Sequence, residues 1–411
     1  MAAVNPDLPD GQYAWIRLAL SLVLAIVGGI GLWVAVVVIP TIQQEFGIDR
    51  AGASLPYTVT FIGFGLGVFV MGRVASRFGI IVPLAISGLS LGAGFILAAM
   101  SETYWQLLII QGVFIGFLGS ASTFGPLVAD VSQWFFKLRG LAVAIVASGN
   151  YIAGTIWPPF IQAAIETHGW RTTYLVIGVL CIDIMLPLAV LLRRRPVFHD
   201  VASPASQSAG AKGLLPGHPL LYPALVLAGL ACCVAMSMPQ VHIVAYCADL
   251  GYGPAKGAEM LSLMLGFGVV SRLASGFIAD KLGGLTTLIA GSFLQLLALA
   301  FYIPFDGLAS LYVVSALFGL SQGGIVPSYA LIIRDHFPAR EAAHRISLVL
   351  TATVLGMAVG GWLSGEIYDF TGSYQAAFIH GIAWNLLNLG IALWVLFIRT
   401  PRAPVPLQAP A

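Results

Sequence analysis

The lysines and arginines of this 411-residue chain fall almost entirely on alternate loops. Twelve apolar stretches can be traced, at 16–38, 52–72, 81–100, 104–130, 141–165, 172–192, 219–245, 257–279, 285–304, 309–333, 346–368 and 375–398. If each stretch crosses a membrane, the side holding the termini carries Arg73, Arg77, Lys137, Arg139, Arg193, Arg194, Arg195, Lys212, Lys281, Arg334, Arg340, Arg345, Arg399 and Arg402. The other side carries Arg50, Arg171 and Lys256. Arg17 stands at the inner end of the first stretch, and Arg272 lies inside the eighth. Basic loops stay in the cytoplasm. Fourteen against three therefore predicts a multi-pass plasma (inner) membrane protein with both ends cytoplasmic.

Composition agrees. The chain is 59% hydrophobic and 9% charged, whereas charged residues make up about a quarter of a soluble domain. A hydrocarbon core of about 30 Å takes about 20 apolar residues per helix, so twelve helices leave only short loops. Backbone groups in lipid must pair internally, and barrel strands would alternate in polarity, which these runs do not. An all-α membrane protein follows. The net charge of +2 and the lack of a basic run point away from nucleic acid. No Gly-x-x-x-x-Gly-Lys-Ser/Thr loop is present, which excludes nucleotide-driven transport by this chain alone. His-Glu-x-x-His and Gly-x-Ser-x-Gly are also missing, so nothing supports an enzyme or a cofactor. Cys181, Cys232, Cys233 and Cys247 lie in or beside apolar stretches without metal-ligand spacing and read as packing residues. The first residues lack the basic start of a cleaved signal peptide, so the first stretch is expected to be retained.

The longest polar interruption, 193–218, is rich in Pro, Ser, Ala and Gly and reads as a cytoplasmic linker between halves 1–192 and 219–411. The halves repeat one plan. Gly72-Arg-Val-Ala-Ser76-Arg77-Phe-Gly79 matches Gly276-Phe-Ile-Ala-Asp280-Lys281-Leu-Gly283. Gly169-Trp-Arg-Thr-Thr-Tyr matches Gly372-Ser-Tyr-Gln-Ala-Ala, and Pro126 matches Pro327. Six spans per half give two parallel copies. This plan resembles the major facilitator superfamily, whose loop after the second span carries Gly-x-x-x-Asp-Arg-x-Gly. The resemblance implies a cytoplasmic gate involving Arg77, Asp280, Lys137 and Arg139. The first copy departs from the motif, with Ser76 where the acid should be.

A narrower resemblance is to monocarboxylate transporters. Asp10-Gly11-Gln12-Tyr13-Ala14-Trp15 stands at the start of span one, and Trp134-Phe135-Phe136-Lys137-Leu138-Arg139-Gly140-Leu141-Ala142, continuing to Ser148-Gly149-Asn150, at the start of span five. Two departures matter. The span-one Lys of the family's animal members falls on Trp33, and its span-eight Asp falls on Gly268. The span-eight Arg is kept as Arg272. The short tails and linker look more prokaryotic than animal.

Arg272 is the sharpest candidate. A charge at that depth costs about 2.5–3.5 kcal/mol even on lenient scales, so it should face a wet cavity. A guanidinium cannot lose its proton and grips a carboxylate with a two-pronged fork. The alternative is that it snorkels to the surface. Mid-span Trp33, Asn150, Gln240, Gln322 and Tyr329 are the further substrate-binding candidates, with helix–helix hydrogen bonding as their alternative. Asp183, mid-span in helix six, and His242 are the proton-coupling candidates. The alternatives are that Asp183 is a neutral lipid-facing acid or makes an interhelix hydrogen bond, and that His242 and His380 are packing residues. Asp130, Glu366 and Asp369 read as solvated caps. Gly63/Gly67, Gly356/Gly360 and Gly361/Gly365 allow close helix approach on faces expected to slide. Pro126, Pro158, Pro159, Pro239 and Pro327 are hinge candidates.

These readings converge on a secondary transporter. The resemblance implies proton-coupled symport of a small monocarboxylate such as lactate or pyruvate, its partners being a small organic anion, a proton and the bilayer. A dicarboxylate or other organic-anion exchanger and a non-transporting receptor are the alternatives.

Overall fold

The fold is that of a computed structural model, which describes residues 10–194 and 219–398, apart from the side chains of 339, 340 and 343. Most of the expected linker lies outside the described residues, as do Arg195, Lys212, Arg399 and Arg402. Twelve helices among the described residues are long and apolar enough to cross a membrane: α1 Gln12–Val37, α2 Arg50–Phe78, α3 Ile81–Ala99, α4 Tyr104–Trp134, α5 Arg139–His168, α6 Trp170–Leu191, α7 Leu221–Asp249, α8 Pro254–Leu282, α9 Gly284–Phe301, α10 Leu308–His336, α11 His344–Thr371 and α12 Tyr374–Phe397. They match the expected stretches one for one. Large apolar side chains such as Leu66, Phe277 and Phe397 are exposed on the outer surface, where lipid replaces water as the solvent. One end of the bundle gathers the arginine-rich loops and is called the basic end below. The other carries Arg50.

Four of these helices are broken. α5 breaks at Ser148, between Ala147 and Gly149. α1 interrupts its ladder at Gly29. α4 widens into a π-helical stretch at Gln111–Gly119 and tightens at Ser120–Thr123 before restarting at Gly125, with Pro126 in the new first turn. α10 stops at Gln322 and resumes at Ile325, two residues before Pro327. The α4 and α10 breaks fall at corresponding places in the two halves, as expected where discontinuous helices line a central site.

The two sequence motifs at the starts of spans one and five form one brace at the basic end. The Asp10 carboxylate accepts from the backbone amides of Phe136 (3.2 Å), Lys137 (3.0 Å) and Leu138 (3.4 Å). Tyr13 meets Trp134 edge-on at 5.0 Å, and Trp15 meets Phe135 at 5.2 Å. Asp10 holds a left-handed backbone, φ 59°, which costs a non-glycine residue energy and which these bonds offset.

Asp130 corrects the sequence reading. It is buried, not a solvated cap. Its two oxygens accept from Arg17 Nε and Nη2, both at 2.7 Å. Arg17 Nη1 donates to the carbonyls of Leu192 (3.1 Å) and Arg194 (3.0 Å), and its guanidinium lies 4.8 Å from the Trp134 ring centre. A two-pronged pair with its remaining donors satisfied is the arrangement that makes a buried charge tolerable. Removing one partner strands the other. Asp130→Asn is expected to destabilise the fold by about 3–5 kcal/mol, read as a lowered thermal unfolding midpoint in detergent. The apolar pair Arg17→Met/Asp130→Leu should recover most of that loss.

Candidate functional site

The halves meet along two seams, and both close toward the Arg50 end. On the first, α2 lies against α11. A Cβ on Gly365 would stand 2.7 Å from Ala51 Cα, and one on Gly361 would stand 3.1 Å from the Tyr57 ring. Thr58 donates to the Ala358 carbonyl at 3.0 Å. Of the three small-residue pairs, only Gly361/Gly365 packs between the halves. Gly63/Gly67 packs on α4 and Gly356/Gly360 on α7, each inside its own half. Further along, the inner turns of α2 and α8 are largely exposed, and a Cβ on Gly72 or Gly276 would meet nothing within 4 Å. Of the expected gate residues, Arg77 and Asp280 are exposed at those loose ends, and Lys137 and Arg139 are exposed between α4 and α5 and at the start of α5.

A clasp of charges locks the Arg50 end. Arg50 Nη2 reaches both oxygens of Asp249 on α7, at 3.0 and 3.1 Å. Arg50 Nη1 donates to the Tyr374 hydroxyl on α12 at 3.0 Å. The Asp369 carboxylate on α11 accepts from the backbone amides of Arg50 (2.9 Å) and Ala51 (2.7 Å), so an acid of one half caps the first turn of a helix in the other. The guanidinium also lies 4.9 Å from the Tyr368 ring centre. Asp369 is indeed a cap, but across the halves.

His242 belongs to this clasp. Its Nε2 lies 2.7 Å from the Gly361 carbonyl, which can only accept, so Nε2 carries the hydrogen. Nδ1, 3.2 Å from the Tyr374 hydroxyl, is then the acceptor. Arg50, Tyr374, His242 and Gly361 thus form one directed chain of donors spanning both halves.

On the second seam, α8 lies against α5. Ser262 bonds the Thr155 carbonyl at the outer part. Arg272 Nη1 donates to the Ala147 carbonyl at 2.9 Å, ten residues before the end of α8. Beyond it α8 is mostly exposed, which puts Arg272 where the closed seam gives way to the loose end. Its guanidinium lies 4.5 Å from the ring centre of Tyr151. Its Nε is buried and has no hydrogen-bond partner. An ionic donor left in that state calls for an acceptor.

The loss of the expected span-eight acid has a steric cause. A Cβ on Gly268, one turn before Arg272, would stand 2.8 Å from the Tyr151 ring and 3.2 Å from Gln322 Nε2. Tyr151 fills the volume that an aspartate would need. Arg272 therefore faces an aromatic ring in place of a carboxylate. The π-face holds a cation weakly and leaves its charge uncompensated.

Four other candidates join this point. Trp33 Nε1 donates to both the Asn150 carbonyl (3.0 Å) and Asn150 Oδ1 (3.1 Å), next to the α1 break at Gly29. Gln240 bonds Gln322 across α7 and α10, and Gln322 Nε2 reaches the Met264 carbonyl at 3.4 Å. The α10 break also sits here, since a Cβ on Gly323 would lie 2.3 Å from the Arg272 amide. Tyr329 stands apart: it is fully buried and donates to Asn388 on α12 at 2.7 Å. Asp183 is exposed on α6, away from both seams. Sequence reasoning missed Tyr151, although it adjoins Asn150, and missed Arg50, Asp249 and Tyr374. Their partners are 199 and 324 residues apart in the chain, a separation that no local pattern encodes.

Two helical halves that pack along two seams and close at one end have the build of a membrane transporter. The family comparison agrees: a model of the Major Facilitator Superfamily matches residues 21–330 and 286–411, and the chain belongs to that superfamily. It is 26% identical to monocarboxylate transporter 13 of Rattus norvegicus over 394 residues, 94% of this chain and 89% of that one. It is 24% identical to the MFS-type transporter opdF of Penicillium oxalicum, over 94% and 91% of the two chains. The solved nucleoside transporter NupG superposes with a TM-score of 0.73 over 92% of this chain and 99% of its own, at 13% identity. The prokaryotic look of the tails finds no support, since these sequence relatives are animal and fungal.

The clasp predicts its own disruption. The four native cysteines are buried, so a cysteine at Thr58 can report opening of the α2–α11 seam. Arg50→Ala should speed its labelling by an impermeant maleimide at least about tenfold, as expected for loss of more than ~1.4 kcal/mol of closure. Unchanged labelling would mean that apolar packing alone closes this end.

Proposed function

We propose that this chain is a proton-coupled symporter of small monocarboxylates, of the lactate or pyruvate type, working by alternating access with the basic loops and both termini in the cytoplasm. The observation that carries the reading is the uncompensated guanidinium of Arg272, whose buried Nε lacks an acceptor and whose neighbour is a ring instead of an acid. A carboxylate entering from the loose end would find Arg272 at the foot of the closed seam and could be gripped by both prongs. Arg272 is the cation at mid-span among the described residues, which favours one carboxylate over two. The similarity to monocarboxylate transporter 13 supports the same class. Trp33, Asn150, Gln240 and Gln322 would shape the remaining wall.

For the coupled proton, His242 is the better placed of the two candidates. Its neutral ring accepts from Tyr374, so a proton at Nδ1 turns that acceptor into a donor and adds positive charge beside Arg50. The sign is clear: the clasp is strongest with His242 neutral, and acid loosens it. Acid on the Arg50 side would then favour access from that side. Asp183, exposed on α6, has no such connection.

Purified protein in liposomes should accumulate labelled lactate under an inward proton gradient. Arg272→Ala is expected to abolish uptake. Arg272→Lys should raise KM by roughly tenfold, since the charge stays and the fork is lost. Uptake surviving Arg272→Ala would remove Arg272 from the mechanism. His242→Gln, which can still donate to Gly361 and accept from Tyr374, should keep lactate exchange at fixed pH while flattening the dependence of net uptake on the proton gradient. Loss of exchange as well would leave His242 a packing residue.

A further inference from the structure

The internal repeat extends to the turn before the second helix of each half. Glu45-Phe46-Gly47-Ile48, ahead of α2, matches Asp249-Leu250-Gly251-Tyr252, ahead of α8, in the register that pairs Gly72 with Gly276. Gly47 and Gly251 both hold left-handed backbones, φ 60° and 82°, so the turns match in conformation as well as in sequence. Each presents an acid at the same place, and the two acids have different partners.

In the first half, Arg171 Nη2 donates to Glu45 Oε1 at 2.6 Å, and Trp170 Nε1 donates to Glu45 Oε2. Arg171 Nη1 donates to the carbonyls of Ala99 (2.7 Å) and Ser101 (2.8 Å). The acid is thereby stapled to the start of α6 and the end of α3, inside its own half. In the second half, Tyr374 at the start of α12 stands where Arg171 stands at the start of α6. The cation that reaches both Asp249 oxygens, at 3.0 and 3.1 Å, is Arg50 of the first half. The Tyr374 hydroxyl accepts from the same guanidinium at 3.0 Å.

The exchange runs one way. Arg50, the first residue of α2, corresponds to Pro254, the first residue of α8, so the second half returns no arginine to Glu45. Asp369, which caps α2 from α11, corresponds to Glu166 on α5. Glu166 accepts from Gln162 of its own helix at 2.9 Å. Pro254 has no backbone N–H at the place where Asp369 grips that of Arg50. Lys256 pairs with Glu259 on its own helix, also at 2.9 Å. Among the described residues, charged contacts between the halves at this end therefore gather at the clasp, while the outer part of the α5–α8 seam is joined by the hydroxyl bond of Ser262 to Thr155.

We propose that residue 374 is the positioning residue of this gate. An arginine there keeps Asp249 as an internal staple, as Arg171 keeps Glu45. A tyrosine releases Asp249 to Arg50 and makes it the latch between the halves. Charge closes this end along one seam only, whatever solute the site carries.

Maleimide labelling of the full-length protein carrying Thr58→Cys reads the latched seam. Tyr374→Arg should speed labelling at least about tenfold, as Arg50→Ala does, while the thermal unfolding midpoint in detergent stays near that of wild type. Adding Arg50→Ala to Tyr374→Arg should then change the rate less than about twofold, because the two substitutions remove the same contact. Tyr374→Lys, a slimmer cation at the same place, should act in the same direction and serves if Tyr374→Arg does not fold. The mirror substitution Arg171→Tyr should lower the midpoint and leave labelling unchanged. Wild-type labelling rates in folded Tyr374→Arg or Tyr374→Lys protein would overturn the proposal. So would equal acceleration by Arg171→Tyr, or a full further tenfold on adding Arg50→Ala.

Discussion

The contact between the two halves governs what the rest of the molecule can do. It runs from the clasp at Arg50, down the glycine-faced seam of α2 and α11 and the parallel seam of α5 and α8, to Arg272. Below that point the helices separate. The candidate site thus lies at a boundary where one side is packed protein and the other is exposed surface. The guanidinium is held there by the Ala147 carbonyl and the Tyr151 ring.

The geometry also explains a departure from the family pattern. Gly268 and Tyr151 fit one another, since a Cβ on Gly268 would stand 2.8 Å from the ring. An aspartate one turn away would hold the arginine in an internal pair. The ring supports it without neutralising it. Trp33, where the family resemblance implies a lysine, likewise donates a neutral hydrogen bond to Asn150 in place of a second charge. Both exchanges leave Arg272 as the dominant charge at mid-span.

Much of this architecture was legible from the chain alone. Twelve runs of apolar residues, the alternation of basic loops and the internal repeat are local or periodic features, and all twelve spans fell where those features placed them. Arg272 was found because a charge among apolar residues is visible without knowing its neighbours. The clasp was not, since Arg50, Asp249, Asp369 and Tyr374 each sit at a span end, where a polar residue needs no explanation. Asp130 was misread for the same reason: nothing nearby in sequence announces Arg17, 113 residues away, as its partner. Tyr329 and Asp183 show the converse limit. Helix membership narrows where a side chain sits, but the direction it points depends on rotation about the helix axis, and at mid-span this is set by packing against neighbours.

One property of the clasp extends beyond its geometry. It is held by full charges, and Asp249 keeps 31% of its side chain in reach of solvent, while the seam beneath is made of glycine, alanine and aromatic surface. Dissolved ions screen the first kind of attraction and scarcely touch the second. But with only 8% of the Arg50 side chain exposed, the clasp is screened far less than a surface pair, so the fraction of molecules standing shut on that side holds nearly steady as ionic strength changes.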